Sequence, residues 1–124
     1  MIGVSHGLQI YICTEPTDMR RGFDGLSSMT ENVMKRDPLS GHLFVFRNRN
    51  RDKLKILYWD RDGLAIWYKR LEQGTFQFPT DGKSTDDKPV STEITTCQLS
   101  LLLGGIDLKS VHQRKRFQRP TQPR

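Results

Sequence analysis

An α+β domain is the fold this chain predicts: an antiparallel sheet of about five or six strands, one long N-terminal helix packed on one face, and a short C-terminal helix. Three observations carry it. Met19, Phe23, Leu26, Thr30 and Val33 recur in steps of four and three, which is the spacing of one helical face. Three strand-like runs, 43–46, 53–59 and 64–71, are joined by connections too short for a parallel crossover. A length of 124 residues leaves room for one hydrophobic core and hardly for two.

Each element has a local reason. Leu8 to Cys13 alternates as a first strand, and Pro16 ends it because proline cannot donate to a ladder. Thr17 is a good N-cap with Asp18 in the first turn, so the helix is expected over 17–35. Asp37-Pro38-Leu39-Ser40-Gly41 is turn chemistry, and Leu43 to Phe46 follows as an apolar strand. Asn48 to Asp52 reads as a polar hairpin loop, and Asp60-Arg61-Asp62-Gly63 as a second. With a three-residue turn ending in a glycine bulge, Tyr58 faces Ile66 and Ile56 faces Tyr68 on one side of this hairpin. Trp59 with Ala65, Leu57 with Trp67 and Lys55 with Lys69 then share the other. Thr75 to Phe78 is a candidate short strand, and Val90 to Ile94 an edge strand. Thr95 and Gln98 have capping-box spacing and open a short helix through Leu99, Leu102 and Leu103, ended by Gly104-Gly105. The expected core is Ile10, Ile12, Met19, Phe23, Leu26, Phe44, Phe46, Ile56, Tyr58, Ile66, Leu99 and Leu102. Residues 1–108 form the expected domain and 109–124 a basic, disordered tail with almost nothing to bury.

Composition narrows the function. The net charge is +6, yet it is concentrated: residues 47–70 carry +5 and residues 108–124 carry +6, whereas 1–46 and 71–107 are net acidic. Such asymmetry favours a polyanionic partner, nucleic acid first; the plainer reading is a solvated surface that maintains solubility. No apolar run reaches the roughly 18 residues of a membrane span, and no secretory signal opens the chain, so a cytoplasmic protein without membrane attachment is expected. Cys13 and Cys97 make neither a disulfide framework nor a zinc site. There is no phosphate loop, dinucleotide fingerprint or serine elbow, so no cofactor and no enzymatic activity are expected. Asp60 and Asp62, with Asp18 or Asp24 brought near, form a remote metal-nuclease constellation; turn aspartates far more often just form turns. His6, His42 and His112 lack ligand spacing.

Several segments taken in order resemble a known family. They are Thr17-Asp18-Met19-Arg20-Arg21-Gly22-Phe23-Asp24-Gly25-Leu26, then Asp37 to Phe46, Lys55-Ile56-Leu57-Tyr58-Trp59-Asp60, Tyr68 to Gly74, and Gln98-Leu99 to Gly105-Ile106. Over about residues 8–108 the chain resembles the TnpB accessory protein, the second-reading-frame (Orf2-like) protein of the bacterial insertion-sequence family sixty-six. The resemblance implies a part in transposition beside a separate, larger transposase, and it supplies no catalytic site to carry over.

Two constellations compete for the role of a DNA contact surface. Arg20 and Arg21 at a helix start suit phosphates; alternatively Asp18, Arg20, Arg21 and Asp24 form local pairs, which is the favoured reading. In the meander, Arg47, Arg49 and Arg51 with Lys53, Lys55 and Lys69 form the expected nucleic-acid surface, with Trp59 and Trp67 on the lysine face able to stack on unpaired bases. Ordinary core tryptophans with lysines at the rim are the plainer reading. The leading function is therefore a non-catalytic accessory factor that binds DNA, at element ends or non-specifically, or the transposase–DNA complex. A protein-only adaptor for the transposase is the alternative.

Overall fold

The computed structural model describes residues 7–78 and 90–104. Seven elements follow one another: β1 (Ile10–Cys13), α1 (Phe23–Asn32), β2 (Leu43–Arg47), β3 (Lys53–Asp60), β4 (Gly63–Arg70), β5 (Ser91–Ile94) and α2 (Thr96–Gly104). The five strands form one sheet in the order β4-β3-β2-β1-β5.

This sheet is mixed, which corrects the antiparallel expectation. β2, β3 and β4 form the expected antiparallel meander, and β1 pairs antiparallel with β5. β1 and β2, however, run parallel, Ile10 opposite Leu43 and Ile12 opposite Val45. The chain between them is long enough for a crossover and carries α1, as a parallel pair requires. Both strands are buried along their whole length, consistent with their near-continuous apolar sequence.

The long helix over 17–35 is also overturned, because α1 has only 10 residues. Two local bonds divert the chain before it. The Thr17 N–H donates to the Arg47 carbonyl (2.8 Å), and Asp18 Oδ1 accepts the Arg20 N–H (2.9 Å) in an Asx turn. Helical bonding starts only at Gly22, whose carbonyl accepts from Leu26. At the other end Lys35 adopts φ 59°, a left-handed conformation that stops a helix.

Both faces of the sheet are covered, not one. On the first face, Leu26, Met29 and Met34 pack over Tyr11, Cys13, Phe44, Phe46 and Leu57. On the second, Leu71, Phe76 and Phe78 from the segment after β4, with Leu99 and Leu102 of α2, cover Ile10, Ile12, Leu43, Val45, Leu54, Ile56 and Ile94. Thr75–Phe78 is thus a packing segment outside the sheet. Of the expected core, Phe23 is 50% exposed, while Met19, Tyr58 and Ile66 are half-buried at the margins. Phe23 misses the core because the helix starts at it instead of a turn and a half earlier. The capping box at α2 forms reciprocally: the Gln98 N–H donates to Thr95 Oγ1 (3.0 Å) and the Thr95 N–H to Gln98 Oε1 (2.8 Å).

The β3–β4 hairpin is one residue out of the expected register. Its loop has two residues, with Asp60 opposite Gly63 and Arg61 at φ 56°. Lys55 accordingly faces Tyr68, Leu54 faces Lys69 and Ile56 faces Trp67. Trp59 and Trp67 therefore point to opposite faces, since side chains alternate along a strand. The basic tail 109–124, the loop 80–89 and the boundary at 108 lie outside the described residues.

Candidate nucleic-acid interface

Strand alternation divides the basic residues between the two faces. Arg47 follows Leu43 and Val45 onto the second face and is only 6% exposed. Its guanidinium lies 5.8 Å from the Phe78 ring centre, with Nη2 donating to the Thr14 carbonyl (2.9 Å) and Nη1 to the Asn48 carbonyl (3.3 Å). Lys55 points to the first face and is 8% exposed. Its Nζ donates to the carbonyls of Met19 and Arg21, both at 2.8 Å, and stands 4.7 Å from the centre of the Tyr68 ring. These two cations bind the chain to itself.

The tip of the β2–β3 hairpin is organised by Asn48. Its Oδ1 accepts the N–H groups of Asp52 (3.1 Å) and Lys53 (3.0 Å), and its Nδ2 donates to Asp52 Oδ1 (2.6 Å). Arg51 takes φ 60° and its carbonyl accepts the Phe76 N–H. Arg49 and Asn50 are left exposed at the tip.

Between this tip and the Pro16–Arg20 turn opens a cleft of about 620 Å³. Arg20 and Asp18 line one wall, Arg49 and Asn50 the other, with Lys53 and Tyr68 between them. Three cations thus face one carboxylate. Arg20 Nε and Nη2 donate to Asp18, the closest contact being 2.6 Å, and Nη1 makes no hydrogen bond among the described residues. The guanidinium beside Asp18 brings its carboxyl down to about 2, so the acid is ionised at neutral pH. Arg49 and Lys53 have no ion pair among the described residues.

Of the expected contact residues, then, the structure gathers Arg20, Arg49 and Lys53 at one cleft. Arg21 is exposed outside its lining, and Arg51 is half-buried behind the hairpin tip. Lys69 is exposed on the opposite face, beside an Arg70 that donates to Glu72 (2.9 Å). Tyr68 and Asn50 were not anticipated. The clue to Tyr68 lay in the expected register itself, which set Lys55 directly against Lys69, a destabilising like-charge pair. Among the described residues no three His, Cys, Asp or Glu side chains gather as metal ligands, so Asp60 and Asp62 acquire no partner site. No helix among them is long and apolar enough to cross a membrane.

Comparison with known proteins agrees with the resemblance read from the sequence. The model of the TnpB family described as IS66 Orf2-like protein matches residues 8–113. An uncharacterized protein, y4jC, of Sinorhizobium fredii is 39% identical over 98% of this chain and 97% of its own length. A second from the same organism, y4hO, is 38% identical over 86% of this chain and 88% of its own length. No solved structure matches the chain significantly. A family match across the whole described fold, together with relatives collinear over nearly their full length, makes this chain a member of the IS66 Orf2-like protein family.

Proposed function

We propose that the protein is a non-catalytic accessory factor of transposition that contacts DNA, alone or within the transposase–DNA assembly, through the Arg20–Arg49–Lys53 cleft. Family membership associates it with transposition of the insertion sequence. The observation that carries the DNA contact is the convergence of three cations from separate segments on an open cleft whose lining, among the described residues, holds a single carboxylate. Guanidinium and ammonium groups in such an arrangement suit the phosphates of a DNA backbone. The adaptor reading needs an apolar docking face, and among the described residues the exposed large apolar ones, Phe23, Leu39, Tyr68 and Val90, are few. Single exposed apolar residues are ordinary on any surface.

The test is a salt series on duplexes with the element's end sequence and with random sequence. Each neutralised phosphate contributes about −0.9 to the slope of log K against log salt. The double variant Arg49→Gln/Lys53→Gln should therefore flatten the slope by up to roughly 1.8 on duplex DNA. Deletion of 109–124 should weaken binding to both duplexes alike and leave any preference for the ends in place. A double variant with wild-type affinity and slope, beside a tail deletion that abolishes binding, refutes the assignment of the cleft.

A further inference from the structure

We propose that the cleft takes an unpaired nucleotide, its base stacked on Tyr68 and its phosphate held by Arg49 and Lys53, so that the protein favours DNA with a single-stranded end over closed duplex. This rests on the DNA-contact reading above and specifies the form of DNA. Tyr68 is a large aromatic residue, 49% exposed, and it stands in the lining of the same cleft as three cations. That pairing of ring and charge is what single-strand sites use: cations follow the backbone while a base lies on the ring. Within a duplex each base is already stacked on both sides, so such a ring finds a free base face only at a terminal pair.

The ring is also held in place. It stands directly across the ladder from Lys55, whose ammonium lies 4.7 Å from the ring centre and is itself fixed by the Met19 and Arg21 carbonyls. One side of the ring is thus occupied by a tethered cation, and a base would use the other. A platform ordered before binding loses little entropy when the base arrives. At about 620 Å³ the cleft falls within the roughly 300–1,000 Å³ usual for small-ligand sites. Asn50 at its rim supplies an amide with both donor and acceptor for a base edge.

The experiment compares the full chain and its variants on a blunt duplex and on the same duplex extended by a short single-stranded overhang carrying 2-aminopurine. Affinity is read by anisotropy, base stacking by quenching of the 2-aminopurine fluorescence, and folding by circular dichroism. Wild type should bind the overhang duplex more tightly and quench its fluorescence. Tyr68→Leu should lose roughly five- to a hundred-fold in affinity for the overhang duplex, the range for one base–aromatic stack, and lose the quenching. Its binding to the blunt duplex should fall far less than its binding to the overhang duplex, and Tyr68→Phe, which keeps the ring, should behave as wild type. Equal binding of the two DNAs by wild type, or an overhang affinity indifferent to Tyr68→Leu, overturns the stacking site while leaving the duplex contact standing. An equal loss on both DNAs in Tyr68→Leu marks a structural role and overturns it as well. Absence of binding to either DNA at low salt refutes both this site and the DNA-contact reading beneath it.

Discussion

Replacing Lys55 by methionine separates a contact residue from a structural tie. The substitution keeps most of the aliphatic stem and removes the ammonium that donates to Met19 and Arg21. A hydrogen bond involving a charged group contributes about 1.5–3 kcal/mol, so two such bonds set an upper bound of roughly 6 kcal/mol. Two effects reduce that figure. Arg21 is exposed and Met19 half-buried, so water replaces the lost donor at both carbonyls. The desolvation cost of an 8% exposed ammonium also disappears with it. The expected net loss is about 2 kcal/mol, comparable to one charge-assisted bond. For a domain of this length that corresponds to a fall of roughly 6–10 °C in Tm. Urea and thermal unfolding followed by tryptophan fluorescence measure it, and the salt slope of DNA binding provides the second readout. The tie predicts lost stability with an unchanged slope. Stability within about 0.5 kcal/mol of wild type, the range of ordinary surface changes, together with a slope flattened by about 0.9, would show that Lys55 contacts phosphate and refute its role as a tie.

Other perturbations test neighbouring parts of the structure. Arg20→Gln should raise the Asp18 carboxyl from about 2 toward its ordinary 3.8, measured by NMR titration; an unmoved carboxyl contradicts the ion pair. Because the folded value lies below the ordinary one, the pair favours the ordered turn above about pH 4 and its benefit fades as pH falls toward 2. Thiol labelling of the native protein should modify the exposed Cys97 alone, and denaturation should release Cys13, whose thiol is buried and pushed up by desolvation; two fast thiols in the native state count against the packing around Cys13. Thr95→Ala should cost about 1 kcal/mol through loss of the cap, whereas a neutral result by urea unfolding means the box contributes nothing to α2.

Much of the architecture was legible in local sequence, and what was not has physical causes. The meander, the hairpin positions and the capping box follow from alternation and turn chemistry, which act within a few residues. The parallel β1–β2 pair is a long-range choice. Its signs are the unbroken apolar runs of both strands and a connection long enough to hold a helix, and both are compatible with an antiparallel pair as well. The helix start failed for a different reason: the apolar period continues back through Met19, but the backbone donors of Thr17 and Arg20 find better acceptors in Arg47 and Asp18. Register failed by one residue because Asp60-Arg61-Asp62-Gly63 accommodates a two- or a three-residue turn, and one residue exchanges every side chain between faces.

The same alternation explains why charge density along the chain was an incomplete guide to the site. Arg47, Arg49 and Arg51 look equivalent in a row, yet only Arg49 belongs to the hairpin tip and the cleft, while Arg47 still belongs to a strand whose other second-face positions are apolar. The buried cations are nonetheless connected to the cleft. Arg47 holds the Thr14 carbonyl with its side chain and the Thr17 N–H with its own carbonyl. Lys55 holds the carbonyls of Met19 and Arg21. Between them they clamp residues 14–21, the segment that carries Asp18 and Arg20 to the cleft wall. Long basic side chains can act in this way because their aliphatic stems pack while their tips reach carbonyls on a neighbouring segment. The basic block at 47–55 therefore divides its labour: some of its charges build the wall opposite, and Arg49 and Lys53 are left facing across to it.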